Sequence, residues 1–350
     1  MPSVRDEPLE LAVVGAGLIG RRHIDHVRAE PDARLSAIVD PTPSSRELAE
    51  ALGVRWFASL PELLGQGRPD GVIVATPNQL HVQQGLLCVE AGVPALIEKP
   101  LADELDTART LVEAAEAAQV PLLTGHHRRH NPIMREAKAV VGSGRLGPVV
   151  AVHAQCWLKK PAEYFDAAWR RNKGAGPVFI NLIHDLDNLR YLCGEVAAVQ
   201  AQESNARRGH EVEDTAAILL RFASGALGTL TVSDTIAAPW SWELTSGENP
   251  AYFHTVESCY LIGGVDASLS VPRLEIWRHA GRSSWWEPIA CERLPVTDDD
   301  PLRLQLGQFC RVIRGIEPPL VSGREGLATL RVVAAIKEAA ASGRTVEIAS

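Results

Sequence analysis

Over its first third the chain alternates short apolar runs with amphipathic stretches. Leu9-Glu-Leu-Ala-Val-Val14, Ala33-Arg-Leu-Ser-Ala-Ile-Val39, Val72-Ile-Val-Ala75, Val93-Pro-Ala-Leu-Ile97 and Val120-Pro-Leu-Leu-Thr124 read as short buried strands. Helical patterns lie between them. One begins after Gly20. A second opens at Thr76-Pro-Asn-Gln-Leu-His81 and runs through Glu90. A third carries Leu105, Ala108, Leu111, Val112 and Ala115 at helical spacing, with Asp103 as its expected N-cap. Strands alternating with helices predict an α/β domain built on a parallel, doubly wound sheet.

The pattern changes after His126. Val149–His153 and Cys156–Leu158 read as strand, and Asn181–Leu192 as helix. Ala216–Phe222 and Ala226–Val232 predict a hairpin turning through Ala223-Ser-Gly225. Tyr252–Ile262 and Ala267–Ile276 read as further strand. Such a run predicts an α+β domain with a large, mostly antiparallel, open-faced sheet, one face of which helices or another subunit must cover. At the end, Ser322-Gly-Arg-Glu325 is a capping box for a helix whose apolar stripe is Leu327, Leu330, Val333 (or Val332), Ile336 and Ala340, with Gly343 as its stop. The expected domains are residues 1–125 and 126–350, the C-terminal helices being free to pack back on the first.

Composition narrows the class. A chain of 350 residues has length for about two domains, and 46% hydrophobic with 22% charged residues is the balance of a globular protein. A net charge of −8 argues against a nucleic-acid surface. No apolar run approaches the ~20 residues that span a bilayer. The polar start Met1–Pro8 has no apolar core, so a secretory signal is not expected and the cytoplasm is the expected compartment. Cys88, Cys156, Cys193, Cys259, Cys291 and Cys310 are scattered singly, which predicts buried residues or free thiols and no metal site.

The first candidate chemistry lies in Gly15-x-Gly17-Leu18-Ile19-Gly20, between a strand and a helix. Glycine is needed there because a pyrophosphate must come almost onto the backbone N–H groups at the helix start. Asp40 closes the next strand about 20 positions on. Its carboxylate can accept both adenosine-ribose hydroxyls and repels a 2′-phosphate, which favours NAD over NADP. Thr42, Ser44, Ser45 and Arg46 follow directly and leave room for the phosphate.

Hydride transfer also requires groups that position a hydroxyl and manage its proton. Lys99 follows a strand at the carboxyl edge, where it can hydrogen-bond a hydroxyl or a developing alkoxide; a solvated surface lysine is the plain alternative. His184 lies in Phe179-Ile-Asn-Leu-Ile-His-Asp-Leu-Asp-Asn-Leu-Arg190. Imidazole suits a general base, and helical spacing sets Asn181, His184 and Asp187 on one face, with Asp187 a better orienter than Asp185. A core histidine satisfied by backbone is equally compatible. Arg129, in Gly125-His-His-Arg-Arg-His-Asn-Pro132, can pair an acid or a carboxamide. Tyr164, Trp169 and Arg170 combine aromatic and charged groups suited to a sugar ring, and equally to an interface.

The glycine turn, Ala75-Thr-Pro-Asn-x-x-His81, Glu98-Lys99-Pro100, the Gly125–Pro132 exit, the helix containing His184 and the Ser322–Val346 tail together resemble the Gfo/Idh/MocA family of oxidoreductases over nearly the whole chain. The resemblance implies an N-terminal Rossmann domain, a C-terminal open-faced sheet that joins subunits into a homodimer or homotetramer, and bound NAD, with NADP less favoured. It places Lys99 at the reacting hydroxyl and His184 as acid/base. It places Thr76, Pro77, Asn78 and His81 near the nicotinamide ribose, Glu98 on the cofactor side, and Pro100 at a position often cis. Many sugar and inositol dehydrogenases of the family have an aspartate four residues before this histidine; here Ile180 stands there, with Asn181 beside it. The implied activity is interconversion of an alcohol and a ketone (or lactol and lactone) on a sugar, glycoside or cyclitol. A glycoside-cleaving enzyme using NAD, or a sensor without turnover, are the alternatives.

Overall fold

A computed structural model describes residues 7–349; residues 1–6, within the stretch read for a leader, lie outside the described residues. Six strands form the first sheet: β1 (Leu9–Val14), β2 (Ala33–Val39), β3 (Arg55–Phe57), β4 (Gly71–Val74), β5 (Ala95–Ile97) and β6 (Leu122–Thr124). All pairings are parallel, in the order β3-β2-β1-β4-β5-β6. The helices α1 (Leu18–Ala29), α2 (Pro43–Leu52), α3 (Leu60–Gln66), α4 (His81–Glu90) and α5 (Leu105–Ala117) alternate with the strands. Every residue of β4 and all but one of β1 are buried, as a sheet covered on both faces requires. The short β3 and its flanking helices were not read from the sequence, because Arg55-Trp-Phe57 has no apolar run. Asp103 is not the cap of α5: the N-cap is Glu104, with no side-chain cap bond.

The second sheet has nine strands: β7 (Val149–Trp157), β8 (Val196–Ser204), β9 (Thr215–Phe222), β10 (Leu227–Ser233), β11 (Tyr260–Gly264), β12 (Ser268–Val271), β13 (Glu275–His279), β14 (Ile289–Arg293) and β15 (Val346–Glu347). Their order is β14-β13-β12-β11-β7-β10-β9-β8-β15, antiparallel except for β7 with β10. The helices of this part of the chain are α6 (Pro132–Gly142), α7 (Ile183–Cys193) and the short α8 (Trp242–Thr245), followed by α9 (Pro301–Ile313) and α10 (Gly323–Ser342).

The hairpin of β9 and β10 forms in the expected place. Tyr252–Cys259, however, is not strand. Thr255 N donates to Leu244 O of α8; Cys259 bonds to Val271 and Gln155, and the strand itself runs Tyr260–Gly264. The run Ala267–Ile276 is broken at Pro272, which lacks the N–H a ladder needs. Ser322 caps α10, its Oγ accepting from Glu325 N at 3.3 Å, and Gly343 ends it at φ 68°.

One compact unit runs through His127 and takes in Asp300–Leu330; the other holds Arg128–Asp299 and resumes at Arg331. The second is therefore not the single stretch 126–350. In the first, Leu306, Phe309 and Cys310 of α9 share a core with Leu11 and Val13 of β1 and Ile24 and Val27 of α1. In the second, Leu182, Leu186 and Leu189 pack with Val152, Ala154 and Cys156 of β7 and with Val332, Ile336 and Ala339.

The turn between β1 and α1 is the tightest contact of the first unit. Gly15 has φ 92°, and a Cβ there would stand 2.5 Å from the Ala75 carbonyl oxygen. A Cβ on Gly20 would overlap the Gly15 carbonyl. Gly20→Ala is therefore expected to lower stability by about 2 kcal/mol and to weaken NAD binding with it. Denaturant unfolding and NAD titration of the same variant check both.

Candidate active site

The N-terminus of α1 carries no side-chain cap. Gly17 and Leu18 are exposed, Leu18 by 89%, and nothing lies within 4 Å of where a Gly17 Cβ would stand. The first-turn N–H groups, which no helix satisfies internally, thus face open space at the positive end of the helix dipole. A pyrophosphate fits this donor set. Ile19 is partly buried beside it.

Asp40 has two roles here. Its Oδ2 accepts from Ala16 N at 2.8 Å, while Oδ1 accepts from Thr42 N and Thr42 Oγ1 at 2.9 and 2.6 Å. Burial acts to raise its pKa, but these bonds outweigh it and hold the carboxyl below its ordinary value. Three donors leave a carboxylate about one lone-pair site, so Asp40 braces the glycine turn and keeps an acceptor for a ribose hydroxyl. Two of the residues that could have welcomed a 2′-phosphate are engaged elsewhere. Ser45 is buried and donates to Asp40 O and Thr42 O; Arg46 pairs with Glu50 at 3.0 Å and lies over Trp56.

Lys99 follows β5 at the same carboxyl edge of the sheet. Its backbone N donates to Glu98 Oε2 at 3.2 Å, and the Lys99–Pro100 bond is cis. Glu98 is buried, with His23 Nε2 of α1 2.7 Å from Oε1. Burial would raise the Glu98 pKa; the His23 bond and the charges of His23, His127 and Lys99 reverse that and bring it down to about 2. His23 carries no motif that marks it, lying three residues beyond the last glycine and 75 from its partner.

His81 was expected to face the cofactor. It is instead a buried brace, with Nδ1 2.7 Å from Pro100 O and Nε2 2.9 Å from Thr76 O. Burial lowers its pKa, against the pull of both carbonyls. The brace ties the loop after β4 to the loop after β5. Thr76 Oγ1 donates to Gln84 at 2.6 Å, Pro77 is exposed and Asn78 half-buried.

In the second unit a π-helical turn, Val178–Leu182, precedes α7. Such turns often mark functional sites, and this one changes the spacing assumed for Asn181, His184 and Asp187. Glu213 caps it, Oε1 accepting from Val178 N at 3.0 Å and Oε2 from Lys337 at 2.7 Å. A Cβ on Gly176 would overlap the Glu213 carboxylate. His184 is 7% exposed, and Asn181 Oδ1 is buried with no hydrogen-bond partner among the described residues.

Asp187 and Arg129 were both expected to face substrate. They face each other: Arg129 Nε and Nη2 donate to Oδ2 and Oδ1, each at 2.8 Å, and both residues are buried. That bidentate pair makes Asp187 a structural partner of Arg129. Asp185 turns towards the sheet, accepting from Tyr260 Oη, with Arg128 Nη1 3.6 Å away. Burial raises its pKa to about 6 in spite of Arg128. Tyr164 is half-buried, with the Arg170 guanidinium 4.1 Å from its ring centre and Arg170 Nη1 donating to Tyr164 O; Trp169 is 58% exposed.

A parallel sheet of this strand order, with an uncapped glycine turn and an acid after the second strand, is the architecture of a dinucleotide-binding domain. Residues 9–126 match the family model described as "Oxidoreductase family, NAD-binding Rossmann fold", and residues 134–248 match the GFO/IDH/MocA C-terminal domain. The chain belongs to the Gfo/Idh/MocA oxidoreductase family. It is 27% identical to the 1,5-anhydro-D-fructose reductase of Ensifer adhaerens, over 96% of this chain and 97% of that one. It is 26% identical to the myo-inositol 2-dehydrogenase of Thermotoga maritima, over 97% and 98%. Among solved structures, the WlbA dehydrogenase from Bordetella pertussis in complex with NADH and UDP-GlcNAcA superposes with a TM-score of 0.79 at 28% identity, covering 98% of this chain and all of that one. Among the described residues no helix is long and apolar enough to cross a membrane.

The low Glu98 pKa sets an acid-side expectation. Its folded value, about 2, lies below the ordinary 4.5, so its stabilising contribution is complete above about pH 4.5 and is lost as pH falls towards 2. Glu98→Gln should therefore be less stable than the parent at pH 6, with the gap closing as the pH is lowered to 3. Urea unfolding across that range measures it.

Proposed function

We propose that this enzyme uses NAD to interconvert a secondary alcohol and a ketone (or a lactol and a lactone) on a sugar, glycoside or cyclitol. The observation that carries this reading is the open amide cradle at α1 on the same sheet edge as Lys99, in a chain with His184 and a buried, unbonded Asn181 carbonyl in its second unit. The nicotinamide, when bound, supplies the hydride acceptor or donor. The chain's own groups do the rest. Lys99 stabilises the negative charge that develops on the reacting oxygen, and His184 takes its proton in the oxidative direction. Asn181 Oδ1 accepts from a neighbouring hydroxyl, and Tyr164 and Trp169 offer ring faces to the sugar.

Ile180 removes the acid many relatives have four residues before the histidine, and Asp187 is held by Arg129. In this reading Asn181 stands as a polar neighbour beside the position where many relatives have that acid. The relatives' substrates, an anhydrohexose and an inositol, agree with a polyhydroxylated ring.

The roles are tested by Lys99→Met and His184→Ala, each expected to lower turnover about a hundredfold or more while leaving NAD affinity nearly unchanged. Absorbance at 340 nm with a panel of sugars and cyclitols reads the reaction. Product release without net NADH would indicate glycoside cleavage, and NAD binding with neither signal would indicate a sensor. Unchanged turnover in both variants would remove these assignments.

The outer face of the second sheet supports a homo-oligomer. Leu219, Leu227 and Leu261 on adjoining strands are each more than half exposed, with Trp277 at 39%, and a second copy would cover them. Leu261→Glu should shift the species seen by light scattering to the monomer; a monomeric parent would overturn the idea.

A further inference from the structure

The loop beyond β7 buries a cation that the mechanism does not use. Lys160 is 7% exposed, and its Nζ has no hydrogen-bond partner among the described residues. The nearest carboxylate oxygen, Asp234 Oδ2, is 3.9 Å away. Asp234 is already committed: Oδ1 accepts from Arg208 Nε at 2.7 Å, and Arg208 Nη2 reaches the carbonyls of Asp234 and Lys160. Burial lowers the Lys160 pKa, against the attraction of Asp234. On its other side Nζ lies 4.8 Å from the centre of the Tyr164 ring, and that ring also carries the Arg170 guanidinium at 4.1 Å. Arg170 Nε is likewise buried without a partner. The acids of the same segment do not answer these donors, since Glu163 and Asp166 are exposed.

Position ties this cluster to the proposed substrate site. Val152, Ala154 and Cys156 alternate inward along β7 and pack with Leu182 and Leu186. Lys160 continues the same parity past the strand end, where its backbone N donates to Asp234 O at 2.9 Å. Asp185, next to His184, lies close enough to Cys156 for each to influence the other's ionisation. A buried ammonium and a buried guanidinium N–H, both lacking acceptors, are costly to a fold that could have used methionine and leucine. An incoming anion would relieve both.

We propose that Lys160 and Arg170 form an anion-accepting subsite of the substrate pocket, so that the sugar this enzyme acts on carries a carboxylate or a phosphate ester that Lys160 Nζ hydrogen-bonds. The proposal rests on the oxidoreductase reading above and names its substrate class. Tyr164 is the roof of the subsite. It stands on a short 3-10 turn, Ala162–Asp166, with its own backbone N bonded locally to Pro161 O, so its ring can yield to the entering group.

The test uses the full-length, NAD-loaded protein and matched probes: D-glucuronate, D-galacturonate and D-mannuronate, the 6-phosphates of the same three hexoses, and the three neutral hexoses. Calorimetric titration reads binding and 340 nm absorbance reads turnover. At least one acidic member should bind about tenfold or more tightly than its neutral partner, the scale of a charged hydrogen bond, and whether it is a uronate or a phosphate identifies the anion. Lys160→Met should erase that preference, Lys160→Arg should keep most of it, and Tyr164→Ala should leave it in place. Without ligand, Lys160→Met should melt at a higher temperature than the parent, because it removes a buried charge that lacks an acceptor. If no acidic sugar outbinds its neutral partner, or if Lys160→Met weakens both equally, the subsite does not exist. An acidic preference lost in Lys160→Met, with no NADH from any sugar, keeps the subsite and overturns the oxidoreductase reading. NADH from neutral sugars, unaffected by Lys160→Met, does the reverse.

Discussion

The seat of α1 against the end of β1 governs the first unit. Gly20 must lie on the Gly15 carbonyl, and Gly15 must lie on Ala75, so neither position tolerates a side chain. That contact aims the uncapped amides of α1 along the carboxyl edge of the sheet. It also fixes His23, one turn further along the helix, against Glu98, whose other oxygen accepts from the backbone of Lys99. The helix proposed to receive the pyrophosphate is thus mechanically joined to the lysine proposed for catalysis. A buried carboxylate would ordinarily be costly; here the histidine bond and nearby positive groups make the ionised form the stable one.

The second unit manages its charges by a different rule. Its buried acids are distributed among arginines that hold α7 in place: Asp187 on Arg129, Asp185 beside Arg128, which also donates to Glu243 at 2.7 Å. Removing one member of such a pair leaves its partner charged in a dry interior, which typically costs 3–5 kcal/mol. The arrangement therefore specifies how α7 docks. His184 and Asn181 occupy the end of that helix where a π-turn, capped by Glu213, interrupts the regular spacing. A rigid body of the helix and an irregular entry suit a site whose polar atoms must point away from the core.

Much of this was legible in the chain itself. The strand, three glycines and Asp40 carry local chemistry, because each residue's role is set by neighbours within about 25 positions. The hairpin at Ala223-Ser-Gly225 was legible for the same reason. The misreadings are cases of partners that spacing along the chain does not reveal. Helical spacing put Asp187 beside His184, but Arg129, 58 residues away, takes both of its oxygens. His81 looked like a cofactor contact until Pro100 and Thr76 took up both ring nitrogens. Asp40 was read as a ribose ligand alone, although its first task is to hold Ala16 N. Tyr252–Glu257 has some of the apolar content of a strand, yet Thr255 N bonds to Leu244 O of α8 and the segment makes no ladder.

Unspent hydrogen-bonding capacity marks several of the atoms proposed to meet a ligand. Arg129 and Asp187 pair with each other and His81 bonds two carbonyls, so all three help hold the fold together. Asp40 retains about one acceptor site after three bonds, the first-turn amides of α1 retain theirs, and Asn181 Oδ1 and Lys160 Nζ are buried with none made. Folding alone would select against the last two, since an unmet polar group in the interior destabilises by about 1–3 kcal/mol. Their retention is explained if the missing partner is a ligand. The enzyme then gives up some stability of the free protein and recovers it only when a molecule with the right oxygens arrives, which is also how it would refuse one without them.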